Sequence, residues 1–145
     1  MAVNLHDLWL AYETQNMAHD GGSEPGAGAW LDRETGTLIT YSGDGVFDDE
    51  LPDDIDDNPR YVPLPTRRDL DLGRELALDF MREHRPDEWK WALDTLRRRG
   101  GWHRFKDHLE EIGLIKTWYD YQERRTNEAL KAWCEKQGVE VVDSA

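Results

Sequence analysis

The residues with the greatest chemical capacity cluster between Arg97 and Tyr121. Arg97, Arg98 and Arg99 run into Gly100 and Gly101, and Trp102, His103, Arg104, Phe105 and Lys106 follow at once. Guanidinium groups beside aromatic rings grip phosphate or stack on a base, so Arg97, Arg99, Trp102, His103, Arg104 and Lys106 form one candidate binding set. A structural role competes with that. Arg104 with Asp107, and Lys106 with Glu110, are spaced to pair on a helix surface. Trp102, Phe105, Trp118 and Tyr121 have the size and spacing of core anchors. A metal would find His103 and Asp107 at i and i+4, with His84 or His108 to add, but no second liganding pair completes such a site. No metal and no cofactor is expected. Nucleophilic chemistry is poorly supplied: Ser23, Ser42 and Ser144 fall in loops or the tail, outside any nucleophile-elbow pattern. Cys134 follows Trp133 on a helix face and is expected to be a buried small hydrophobe. No glycine-rich stretch has the spacing of a phosphate loop. The expectation is therefore a protein that does not work as an enzyme.

A second set is made of carboxylates. Residues 43–59 hold eight of them: Asp44, Asp48, Asp49, Glu50, Asp53, Asp54, Asp56 and Asp57. The alternating ligand order and closing glutamate of an EF-hand loop are missing. The stretch reads as a solvated, self-repelling loop with Val46, Phe47, Leu51 and Ile55 as occasional anchors. Residues 44–58 are expected to be mobile and to respond little to calcium. Asp48, Asp49, Asp53 and Asp54 are the candidate acidic contacts for a partner. The whole chain carries 31 acids against 18 bases, net −13, and residues 1–66 alone hold fourteen acids against Arg33 and Arg60. Such a field steers cationic partners and disfavours general nucleic-acid binding or attachment to an anionic membrane.

These residues need elements to position them. A chain of 145 residues is one domain by length. One cysteine excludes an intrachain disulfide and fits a reducing compartment. No apolar run approaches the roughly 18 residues that span a bilayer, and the N-terminal stretch lacks a basic region and a cleavage site, so a cytoplasmic protein is expected. Asn4 can cap a helix over 5–15 that fails near Met17. His19 to Gly28 is a glycine-rich mobile loop. Trp30 to Tyr41 is a β-hairpin turning at Asp32 to Gly36, and Tyr61 to Leu64 supplies a third strand that Pro63 and Pro65 confine to an edge.

Helices fill residues 67–137. Thr66 with Asp69 marks the start of one that runs to Arg85. Pro86 opens the next, Asp87 to Arg99, which buries Trp89, Leu93 and Leu96 and places three arginines where the helix dipole favours them. Gly100 and Gly101 end it, and Trp102, Phe105, Leu109 and Ile112 repeat along a further helix. Thr117 caps the last helix, Gly138 stops it, and Val139 to Val142 is extended. The fold class is α+β: about five helices and a small two- to three-stranded antiparallel sheet. The two helices at the glycine turn are helix-turn-helix-like.

Five groups of residues recur together in one known family. They are Asp32 with Thr35-Gly36, Tyr61-x-Pro63-Leu64-Pro65, Gly101-Trp102-x-Arg104-Phe105-Lys106-Asp107, Trp118-Tyr119 and Ala132-Trp133. In this order the chain resembles the bacterial uncharacterised protein family 0158 over nearly its whole length. The family usually has a small residue and a phenylalanine at the positions of Gly101 and Trp102, and the acidic insert before Arg60 looks particular to this chain. The resemblance implies the architecture and carries no established activity.

Three functions of different classes are consistent with these residues. The favoured one is a regulatory module, inhibitor- or immunity-like, whose acidic half meets another protein with a basic surface. The alternative is a nucleic-acid-linked module using the basic patch at 97–106. A small hydrolase or metal-dependent enzyme is the third, and no complete site for it is present.

Overall fold

The structure is a computed structural model that describes residues 2–20, 26–43 and 49–143. The residues group into two units, one of Met1–Arg67 with Ala129–Ala145, the other of Arg68–Glu128.

In the first unit, β1 (Ala2–Asn4) leads into helix α1 (Leu5–His19). The Asn4 side-chain oxygen accepts from the N–H of His6 at 2.8 Å and of Asp7 at 3.3 Å, as a helix cap should. Leu8, Ala11, Tyr12 and Gln15 share the buried face. The helix runs past Met17, where the apolar spacing had suggested it would fail. The buried face continues through two amides instead of apolar residues. Gln15 donates from Nε2 to the Leu64 carbonyl at 2.9 Å and accepts from the Ala29 N–H at 2.8 Å. Asn16 accepts from the Arg67 N–H at 2.7 Å, and its carbonyl takes the Asp20 N–H to close the last turn.

Strands β2 (Gly28–Asp32), β3 (Leu38–Tyr41) and β4 (Tyr61–Pro63) form an antiparallel sheet in the order β3-β2-β4. Trp30 stands opposite Ile39 on one side and Pro63 on the other. The hairpin turns where expected, with Gly36 at φ 76°, a left-handed conformation that glycine adopts without strain. Pro63 lies on an edge strand, where its missing N–H costs no ladder bond. Of the glycine-rich stretch, residues 21–25 lie outside the described residues, His19 is helical and Gly28 opens β2. The C-terminal tail is not merely extended. As β5 (Glu140–Val142) it pairs in parallel with β1, Ala2 opposite Glu140.

In the second unit, helix α2 (Arg74–His84) begins eight residues after Thr66. Residues 67–71 form turns instead, and Asp71 at φ 54° is incompatible with a continuing helix. A 3-10 turn (Pro86–Glu88) follows, then α3 (Trp89–Leu96), α4 (Gly101–Glu111) and α5 (Ile115–Lys136), whose residues from Ala129 onward belong to the first unit. Helix α3 stops at Leu96. It buries Ala92, Thr95 and Leu96, with Trp89 and Leu93 only half-buried. Arg98 and Arg99 thus lie beyond its last turn, and the dipole argument covers Arg97 alone.

The break comes from the two glycines. Gly100 is left-handed at φ 75°, and a Cβ on Gly101 would overlap the Thr95 carbonyl oxygen. Helix α5 starts at Ile115, so Thr117 lies inside its first turn and does not cap it. Trp118 is fully buried, with ring centroids 5.3 Å from Phe80 and 5.4 Å from Phe105. Trp102 reaches it at 6.4 Å from a half-buried position. Among the described residues, no helix is long and apolar enough to cross a membrane.

Candidate functional site

The candidate residues fall in both units, and each set is described by itself. In the second unit the α3–α4 turn carries the cations. Arg97 approaches Asp94 only at 4.0 Å. Arg98, Arg99, Arg104 and Lys106 are exposed and form no ion pair among the described residues. The expected pairs Arg104–Asp107 and Lys106–Glu110 do not form. Asp107 lies 3.3 Å from His103, its i−4 neighbour, with the His103 side chain 84 % exposed. Trp102 turns its ring toward Phe105 and Trp118, at 5.9 and 6.4 Å, so its faces are partly spent on the core.

The histidines do not assemble. His84 lies tilted against Phe80, with ring centroids 4.4 Å apart. His108 meets the Glu88 carboxylate at 2.8 Å and the Trp91 ring at 4.4 Å. Among the described residues no group of three or more His, Cys, Asp or Glu side chains is placed to hold a metal ion. Helical spacing hid the Glu88–His108 link, because it joins two elements twenty residues apart.

In the first unit the acidic stretch is folded over the part that is described. Asp49 is tied to Thr40 twice: its N–H donates to the Thr40 carbonyl and its Oδ2 accepts the Thr40 N–H, both at 2.9 Å. The Asp54 carbonyl accepts from the N–H of Asp57 and Asn58, and its Oδ2 accepts from Asn58 Nδ2 at 2.9 Å. Ile55 is buried with Trp30 and Ile39, and Leu51 packs against them. Residues 49–58 are thus a turn seated on the sheet, while Asp44, Val46, Phe47 and Asp48 lie outside the described residues. Glu50, Asp53, Asp56 and Asp57 are exposed and form no ion pair or side-chain hydrogen bond among the described residues.

One carboxylate in this unit is fully engaged. Asp32 takes a two-pronged contact from Arg60, Nε to Oδ1 and Nη2 to Oδ2, both 2.8 Å, and Arg60 also reaches Glu34 at 2.9 Å. The Asp32 side chain further accepts from the N–H of Glu34 and Thr35, fixing the hairpin turn. The Arg60 guanidinium, opposed by burial, holds the Asp32 carboxyl down to about 2, and the pairing raises the Arg60 pKa in return. Sequence reasoning missed this pair. Its signal was there: with fourteen acids and two bases in residues 1–66, a retained arginine has a specific anion to serve. Cys134 is buried, and burial pushes its thiol up to about 11.

The first unit as a whole holds seventeen acids and five bases, net −12, and the second nets −1. The exposed acidic turn therefore stands in a field of its own sign. What it can do chemically is attract and hold positive charge. Among the described residues, neither set places a nucleophile beside a base.

The chain is 27% identical over 146 aligned residues to a UPF0158 protein of Pseudomonas aeruginosa, an alignment that covers 97% of this chain and 86% of that protein. This likeness agrees with the family read from the sequence. No family model matches the chain, and no solved structure matches it.

Proposed function

We propose that this chain, a weak homologue of a protein of the uncharacterised UPF0158 family, is a non-enzymatic regulatory module that binds another protein with a basic surface. The observation that carries the reading is the turn at 49–58. Ile55 anchors it to the sheet, yet Glu50, Asp53, Asp56 and Asp57 are exposed and meet no cation among the described residues. Clustering like charges in one turn costs stability through repulsion. A cationic partner removes that repulsion, and the net −12 of the unit speeds its approach. A single buried cysteine suits a place in the cytoplasm.

The runner-up is a nucleic-acid-linked role for the second unit. It is favoured by Arg98, Arg99, Arg104 and Lys106 around the α3–α4 turn, which are exposed and form no ion pair among the described residues. Affinity capture from the native host separates the two. Wild type is compared with a variant carrying Asn at Asp53, Asp56 and Asp57, and with an Arg104→Ala, Lys106→Ala variant, each checked for folding. A basic protein retained by wild type and the alanine variant, and lost from the Asn variant, supports the proposal. Nucleic acid retained by wild type and the Asn variant, and lost from the alanine variant, replaces it.

A further inference from the structure

Between α1, β1 and β3 the first unit holds an open groove of about 830 Å3, within the range of about 300–1,000 Å3 seen for ligand clefts. Leu10 and Ala11 of α1 line it, with Leu38 of β3 and Val142 of β5. Two of its lining side chains are large hydrophobics left open to solvent, Leu10 at 53 % and Val142 at 41 % exposure. Asp7 is the one charged residue in the lining, and it forms no ion pair among the described residues.

One wall of this groove is the outer edge of β3. Among the described residues, the strand order β3-β2-β4 leaves that edge without a neighbouring strand. Thr40 points its N–H and carbonyl outward, since both are taken by Asp49. By the two-residue period of a strand, Leu38 directs its own N–H and carbonyl outward as well. Neither has a partner among the described residues. Asp49 thus closes one end of the edge, and the Leu38 end opens into the groove. An unpaired edge beside exposed apolar side chains is a template for an added strand.

We propose that an extended, basic segment of a partner protein lies in this groove and adds to β3 as a further strand. Its backbone pairs with Leu38, alternate apolar side chains cover Leu10 and Val142, and a lysine or arginine meets Asp7. Charge complementarity selects the occupant, because no cation among the described residues lines the groove and the unit around it nets −12. The inference rests on the proposed function and assigns it a second contact beside the acidic turn.

The probe is a seven-residue peptide alternating lysine and valine, acetylated and amidated, titrated into 15N-labelled full-length protein at low salt. Saturable shifts are expected at the amides of Leu10, Leu38 and Val142. The same peptide with N-methyl groups on alternate residues keeps its charge but loses one edge of hydrogen bonds, and should bind roughly tenfold more weakly. Leu10→Trp, which fills the groove without changing charge, should weaken binding by a similar factor. Asn at Asp53, Asp54, Asp56 and Asp57 should leave it within about threefold.

Peptide binding that ignores N-methylation and Leu10→Trp, but is lost from the Asn variant, overturns the groove and leaves the acidic-turn reading standing. Absence of peptide binding at low salt also overturns it. So does a concentration-dependent dimer that Leu10→Trp abolishes, since the edge would then serve a second copy of this chain. N-methylation alters only the peptide, so the test does not depend on any variant folding.

Discussion

Gly100 and Gly101 look interchangeable in the sequence, yet the structure assigns them different costs. Gly100 sits at φ 75° with nothing within 4 Å of where a Cβ would stand. Alanine there pays only for the left-handed backbone, about 1–2 kcal/mol. Gly101 has open backbone angles but no space. A Cβ there would overlap the Thr95 carbonyl oxygen and lie 2.9 Å from the Thr95 carbonyl carbon and 3.1 Å from the Leu96 Cα. All three are backbone atoms, so no side chain can rotate away, and the end of α3 must move from the start of α4. Overpacking of this kind costs about 1–3 kcal/mol and occasionally more; alanine's better helix propensity returns up to about 1 kcal/mol. Backbone rigidity places Gly101→Ala at the upper end, near 3 kcal/mol before that return. The assay is urea unfolding of both variants, with constant slope as the check that the midpoint shift reports stability. Gly101→Ala should lower the midpoint, and the Arg98, Arg99 and Arg104 amides of its spectrum should shift most. A Gly101→Ala protein as stable as wild type, with an unshifted α3–α4 turn, would refute the steric argument.

Three further outcomes follow from the core and the ion pairs. Trp118→Ala should cost about 3–5 kcal/mol in urea unfolding, the range for a large buried aromatic, and Trp102→Ala distinctly less because that ring is half-buried; equal costs would contradict the burial difference. Asp32 has a folded pKa of about 2, below the ordinary 3.8, so its stabilising contact is complete above about pH 4 and is lost as pH falls through 2. In Arg60→Gln the melting temperature at neutral pH should drop and its fall between pH 4 and 2 should flatten; an unchanged acid slope counts against the pairing. Cys134, with its thiol pushed up to about 11 by burial, should resist Ellman's reagent at pH 8 in the folded protein and react once urea is added, whereas rapid reaction of the folded protein would place it at the surface.

Local signals were legible where one residue type settles the backbone. Asn4 caps α1, Gly36 turns the hairpin, Pro63 marks an edge, and Gly138 ends α5 at φ 79°. Signals that depend on distant partners were not. The β1–β5 pair joins two three-residue strands from opposite ends of the chain, too short for an alternating pattern to register. Thr66 and Asp69 carry a helix-start pattern, but the left-handed Asp71 and buried Leu72 delay α2 to Arg74. Gln15 and Asn16 extend α1 because their amides satisfy Ala29, Leu64 and Arg67, partners that no helical period reveals. In the candidate sites, charge was readable from composition, whereas pairing was not: Arg60 is spent on Asp32, while Arg104 and Lys106 form no ion pair among the described residues.

The central claim is that exposed carboxylates of the first unit bind a cationic protein. Its most direct measurement is the salt dependence of the dissociation constant for the captured partner, taken for wild type and for the variant with Asn at Asp53, Asp56 and Asp57, the exposed aspartates of the turn whose side chains have no partner among the described residues. Wild-type affinity should fall steadily as salt rises, because exposed charges are screened over about 10 Å at 0.1 M. The Asn variant should bind more weakly at low salt and converge on wild type at high salt. Two parallel curves of equal affinity would contradict the claim, since the carboxylates would then take no part in holding the partner.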